Sequence, residues 1–367
     1  MLKIKKQISR LYLSSILGNL SLTGAWVAIL AARGYSLVEI GLAETVFHIT
    51  SLLFEIPSGV LADVFGRKKM LLVSAAMKIA GNIIMIFSCN LFMVCASLSF
   101  YAMSYNFSSG SGDALAYDSL KTVRREDDYE KYASNQMILY RLCGGISTLC
   151  AGFALFIGHQ AAYGADILMG AVQIWALASL KEIRMEPPDG HEKTIIGSVK
   201  KELISCFMNS LSFLKEAKKA VFFMFCNSLV GAIDILLLFF LQAKLPEAGI
   251  PGAFLGFALF FMELGGILGS GIILKCGKLR YRSVFALAAF LVFSGVLLEH
   301  SGMYVIMTIG GFIAALSDDA LQVRTNTILQ NMFPSEQRAT LISMESFTFS
   351  VIMLVLSPFA GILFSHW

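Results

Sequence analysis

The sequence predicts an all-α integral membrane protein made of two six-helix pseudo-repeats, and three observations lead there. The first is composition. Of 367 residues, 56% are apolar and 15% charged, with a mean hydropathy of +0.71, whereas a soluble domain carries about 25% charged residues. The second is a series of apolar runs about twenty residues long, the length that crosses a ~30 Å hydrocarbon core as a helix. The third is an internal repeat. Gly112 to Leu115 matches Asp318 to Leu321, and Glu130 to Ser134 matches Glu336 to Thr340, both at an offset of 206 residues. A looser pair, Ser58 to Leu61 with Ser270 to Ile273, has an offset of 212. Two matches at one offset and at equivalent span ends imply parallel repeats.

Taken in order, the spans of the first half are expected near 11–31, 38–62, 70–89, 92–117, 135–157 and 161–180. Those of the second half fall near 219–243, 251–275, 283–299, 302–326 and 339–363. That is eleven, where two six-helix repeats give twelve, so the twelfth span is expected to be missing. The resulting organisation is a first transmembrane bundle at 1–180, a cytoplasmic linker at 181–218 and an incomplete second bundle at 219–367. The basic start, with Lys3, Lys5, Lys6 and Arg10, resembles a leader. Its apolar run is too long for one, and an uncleaved first span is expected.

Lys and Arg concentrate in cytoplasmic loops, and here they alternate along the chain. They fill the N-terminus, the second–third loop (Arg67, Lys68, Lys69), the fourth–fifth loop (Lys121, Arg124, Arg125, Lys131), the linker, and 275–282. The opposite side holds Arg33 and Lys244. A cytoplasmic N-terminus in an inner (plasma) membrane follows. In the linker, the turn Pro187-Pro188-Asp189-Gly190 precedes Ile196, Val199, Leu203, Phe207, Leu211 and Leu214 at helical spacing. An amphipathic helix on the membrane face and a soluble connector helix both fit that spacing.

The second span ends in Gly59-Val60-Leu61-Ala62-Asp63-Val64-Phe65-Gly66-Arg67-Lys68-Lys69. This run resembles the signature loop of the major facilitator superfamily, G-x-L-a-D-x-x-G-R-K/R-K/R, and sits in the expected cytoplasmic loop. The resemblance implies a secondary transporter of major-facilitator type working by alternating access, with Gly59, Asp63, Gly66, Arg67 and Lys68 as a gating motif. Gly59 would let helices approach, Gly66 would permit a tight turn, and Asp63 would pair with a base or a helix N-terminus. The counterpart in the second half, Gly271 to Arg280, keeps glycines and bases but lacks the acid. Phe54 to Ser58 and Asp113 to Lys121 are similar to bacterial members regarded as drug exporters. The fifth span departs from that pattern, since Arg141 to Ile146 contains no proline, and the fourth span has no base within it.

Ionisable groups at membrane depth cost at least ~2.5–3.5 kcal/mol each and therefore face a cavity or a partner. Nine acids and three bases qualify: Glu44, Glu55, Asp113, Asp166, Asp234, Glu263, Asp318, Asp319 and Glu345, with Lys78, Arg141 and Arg324. Glu55, Asp166 and Arg324 lie near span ends and can snorkel. Glu44, His48, Asp113, Arg141, Asp234, Glu263, Asp319 and Glu345 are the candidates for proton coupling or for lining a substrate cavity. Arg141 can pair with Asp113, and Glu44 and His48 share a helical face. The excess of carboxylate suits protons and a cationic small-molecule substrate. Gly265 and Gly269 form a small-xxx-small pair suited to close helix packing.

Several classes are excluded or unsupported. No phosphate-binding G-x-x-x-x-G-K-[ST] loop and no hydrolase motif occurs, so neither ATP use nor catalysis is expected. The seven cysteines form no CxxC pair, and no metal or cofactor is expected. The net charge of +4 is dispersed between apolar runs, which gives no surface for nucleic acid. The expected partners are the bilayer, protons and a small solute, with the chain as a monomer. The leading expectation is proton-coupled efflux of small lipophilic or cationic compounds. Proton-coupled uptake of a small polar metabolite is the alternative, and a non-transporting receptor or assembly subunit is a third.

Overall fold

The computed structural model describes residues 3–183, 217–276, 279–332 and 338–366, and the account below is of these. All regular structure in them is helical. The helices are α1 (Ile4–Asn19), α2 (Trp26–Ala32), α3 (Leu37–Phe65), α4 (Arg67–Phe87), α5 (Leu91–Ser108), α6 (Ser111–Thr122), α7 (Asp128–Leu149), α8 (Ala151–Ile157) and α9 (His159–Ala178). After the linker come α10 (Lys218–Glu247), α11 (Gly252–Lys275), α12 (Tyr281–Glu299), α13 (Tyr304–Met332) and α14 (Arg338–His366). The expected linker helix lies outside the described residues.

Eight helices are long and apolar enough to cross a membrane, or nine if the α7–α8 pair, bent by 47°, counts as one span. The expected first and fourth spans are each divided. Residues 20–25 separate α1 from α2, and Ser109 and Gly110 separate α5 from α6. Gly110 takes φ +69°, a left-handed conformation that glycine adopts without a Cβ penalty.

The chain forms two compact units that do not follow the sequence halves. One gathers 3–22, 49–147 and 159–183; the other gathers 23–48, 148–158 and the described residues from 217 onward. In the first unit, α4 packs on α5 and α9, and α1 packs on α9 and α6. In the second, α13 lies against α10, α11 and α12, while α14 packs on α10.

Backbone contact replaces side-chain contact at several crossings of the second unit. A Cβ at Gly265 would overlap the Phe312 carbonyl oxygen, and one at Gly269 would overlap that of Leu316. The small-xxx-small pair therefore sets the α11–α13 distance. Gly41 and Gly361 do the same for α3 and α14, facing the carbonyls of Ser357 and Leu37. Gly59, expected to serve such a crossing, does not: nothing lies within 4 Å of a Cβ built there. Position 59 is open, so its lack of a side chain brings no described neighbour closer.

Candidate functional site

The first unit holds a cavity of about 340 Å³ between α1, α4, α5, α6, α7 and α9. Its wall is rich in short hydroxyls, among them Ser14, Ser15, Ser74 and Ser104. Asn19, Gln136 and Gln173 add amides, and Asp113 is its one charged lining residue among those described. Two of the amides are half used. Gln136 donates from Nε2 to the Tyr132 hydroxyl at 2.6 Å, and Gln173 donates from Nε2 to the Ser14 carbonyl at 3.1 Å. The Oε1 of each has no partner. The expected Asp113–Arg141 pair is not formed among the described contacts. Asp113, two residues into α6, lines the cavity, while Arg141 is exposed on α7.

Beside this wall the first span is broken, and its free backbone is held by side chains from neighbouring helices. Asp166 on α9 accepts from the Ser21 hydroxyl at 2.6 Å and from the Leu22 N–H at 2.8 Å. Ser147 accepts from the Ser21 N–H, and Lys78 donates to the Gly18 carbonyl at 2.6 Å. Unpaired backbone groups at membrane depth cost several kcal/mol each, so such a break persists only with partners of this kind. Asp166 is 2% exposed. It is a structural clamp and not a snorkelling end residue.

The signature loop is built as its glycine requires: Gly66 takes φ +105° and caps α4. Arg67 pairs with Asp118 near the end of α6. Lys68 donates from Nζ to the Ala178 carbonyl at 2.8 Å, and its backbone N–H reaches Glu182 at 3.3 Å. These contacts all stay within the first unit and brace α4 against α6 and the end of α9. The Asp63 side chain lies outside what the structure describes.

In the second unit, Glu44 and His48 do share a face of α3. Glu44 Oε1 and His48 Nε2 are 3.2 Å apart, and His48 Nδ1 is 3.3 Å from the Ser350 hydroxyl of α14. Both are buried, with Phe47 and Phe349 edge-on to the imidazole. Glu345 accepts from Asn227 at 3.3 Å. Asp234 is 4% exposed and its Oδ1 has no partner. Glu263, Asp318 and Asp319 lie within electrostatic reach of it. Among the described residues no group of His, Cys, Asp and Glu is arranged to hold a metal ion.

The sequence search for deep charges missed Gln136 and Gln173, which are uncharged, and Asp118, which lies one residue past the expected end of the fourth span. Amides within apolar runs were the available signal for the first two.

The sequence profile of the Major Facilitator Superfamily matches residues 11–316. The chain belongs to that superfamily. No curated protein matches it in sequence. Among solved structures it is similar to the nucleoside transporter NupG, with a TM-score of 0.75 for a mutant form, at 13% identity and covering 98% of this chain and 96% of that one. A second NupG structure gives 0.68 at 12% identity, covering 100% and 96%. A D-xylose–proton symporter gives 0.66 at 9% identity, covering 97% and 88%. At these identities the likeness is one of fold. This superfamily member is thus a multi-pass α-helical membrane protein with a transporter fold, as the signature loop implied.

Proposed function

We propose that this superfamily member is a proton-driven carrier of a small, polar, hydroxyl-bearing solute, working by alternating access in an inner membrane with its N-terminus cytoplasmic. The observation that supports this most is the wall of the first-unit cavity. Its serines, amides and single carboxylate offer hydrogen bonds and no base among the described residues. A cavity of that volume suits a small metabolite. An anionic solute would meet Asp113 with no cation among the described lining residues. Two unpartnered amide oxygens and a carboxylate are acceptors, so the ligand that satisfies them is rich in donors. The structural likeness to carriers of nucleosides and D-xylose supports the same class. This shifts weight from lipophilic compounds, the leading expectation of the sequence, to the polar alternative.

The test is accumulation in proteoliposomes of the full chain under an imposed pH gradient, with D-xylose, uridine and tetraphenylphosphonium as probes. Gradient-driven movement of D-xylose or uridine supports the proposal. A second reading, efflux of a lipophilic cation, draws on the carboxylates Asp113, Asp234, Glu263 and Asp319. Movement of tetraphenylphosphonium alone would establish it in place of the first.

A further inference from the structure

The first unit holds a second cavity of about 340 Å³, between the start of α1, the end of α6 and the start of α7. Its rim and its floor differ in chemistry. Lys5, Arg125 and Lys131 stand at the rim, all three exposed. Asp128 is the one acid among the described lining residues, so bases outnumber it three to one. It pairs with Arg125, whose guanidinium carries five N–H donors and is not exhausted by one carboxylate. Glu126 and Asp127 are exposed and do not line the cavity.

The floor is aromatic and ordered by stacking. Tyr12 and Tyr132 lie ring on ring with centroids 5.0 Å apart, and Tyr129 continues the stack at 6.2 Å from Tyr132. Asn135 donates to the Tyr12 hydroxyl at 3.1 Å, which leaves the hydrogen of that hydroxyl as a donor. Tyr132 also lines the hydroxyl-rich cavity described above, so the floor of one is a wall of the other.

The position of this cavity points to its ligand. The apolar stretch of α7 begins at Lys131, which puts the rim at the membrane edge. Tyr12 is eight residues into α1 (12 − 4), about 12 Å along the helix. The cavity thus runs through headgroup depth. A second observation continues from it. Ile138 shares a helical face with Lys131 and Asn135, Leu13 stands four residues beyond Ser9 of the lining, and both are exposed apolar side chains. Basic rim, tyrosine floor and apolar flank follow one another in the order of phosphate, glycerol and acyl chain. Bases that only mark one membrane face need neither the floor nor the flank.

We propose that this cavity binds the phosphate of an anionic phospholipid. Arg125 offers paired N–H groups to the phosphate oxygens, Lys5 and Lys131 supply charge, and the Tyr12 hydroxyl donates from the floor. The acyl chains lie along Leu13 and Ile138. The proposal needs only the membrane-spanning fold and stands apart from the carrier reading.

The experiment is native mass spectrometry of the full chain titrated with phosphatidylglycerol or phosphatidylcholine. One phosphatidylglycerol per chain should bind at least about fivefold more tightly than phosphatidylcholine, the factor that one base contributes near an anionic headgroup. Lys5→Gln and Lys131→Gln should each weaken that binding about fivefold, and the double variant about 25-fold. Lys6→Gln is the control, since Lys6 has the same charge beside Lys5 but does not line the cavity. It should bind as wild type does. All three substitutions are at exposed positions, so each variant should fold. An equal loss in Lys6→Gln would replace the site by diffuse surface charge. Equal binding of the two lipids would remove the anion from the account, and displacement of the lipid by equimolar inorganic phosphate would make the free ion the ligand. Each of these three results overturns the proposal.

Discussion

Arg67 and Asp118 form an ion pair that ties the first residue of α4 to the last turns of α6. The described contacts of the signature loop's Arg67 and Lys68 thus lie inside one unit, on partners that the loop's own sequence does not contain. Charge-assisted hydrogen bonds of this kind are worth about 1.5–3 kcal/mol. Asp118→Ala should lower the melting temperature of the solubilised protein by the corresponding amount, and so should Arg67→Ala. The double variant should be no worse than the poorer single one. Additive losses would show that the two residues act separately.

Asp166 makes a second prediction about construction. It holds both the hydroxyl of Ser21 and the N–H of Leu22 where the first span is broken. Asp166→Ala leaves that backbone N–H without its acceptor at membrane depth, which costs about 1–3 kcal/mol or more. Asp166→Asn keeps one acceptor oxygen and should recover part of the loss. Thermal melting with thiol labelling of Ser21→Cys in each background reads both effects. Equal stability and labelling in all three proteins would remove Asp166 from the role of clamp.

Hydropathy reveals the helical membrane fold because it is a bulk property of helices that face lipid. The signature loop was legible too, since Gly66 needs a left-handed turn whatever surrounds it. The breaks in the first and fourth spans were not. Residues 20–25 carry no charge and no proline, and what allows the chain to unwind there is Asp166, 144 residues beyond Leu22 (166 − 22). The cavity was hidden for a related reason. Serine and glutamine are tolerated on packed helix faces, so their convergence on one wall is a tertiary fact. Deep charge was the better guide to the shared face of Glu44 and His48, which the structure shows. The Arg141–Asp113 pair is not among the described contacts, since proximity of two spans does not fix which faces meet.

Glycines separate sequence pattern from packing in a way that can be measured. Gly269→Ala drives a methyl into the Leu316 carbonyl, so α11 and α13 must part. Overpacking of this kind costs about 1–3 kcal/mol, and the variant should melt well below wild type. Gly59→Ala meets open space inside a helix, where alanine is favoured by about 0.5–1 kcal/mol. It should melt at or slightly above wild type although position 59 belongs to the signature loop. A large loss of stability at 59 would mean that a neighbour closes on it.

The unpartnered oxygens of Gln136 and Gln173 give the cavity its most direct test. Each side chain is anchored through Nε2, to Tyr132 and to Ser14 respectively, which leaves Oε1 available to a ligand hydroxyl. Gln136→Leu and Gln173→Leu keep the approximate volume and remove the acceptor. A neutral hydrogen bond is worth about 0.5–1.5 kcal/mol, so each change should weaken solute binding roughly 2- to 12-fold. Isothermal titration with D-xylose and with uridine reads this. Gln136→Glu supplies a stronger acceptor and keeps its anchor, because the Tyr132 hydroxyl can donate to it, and it should retain or improve binding of a hydroxyl-rich solute. If the leucine variants bind as wild type does, the solute sits elsewhere; if they bind tetraphenylphosphonium more tightly, the apolar reading of the cavity gains.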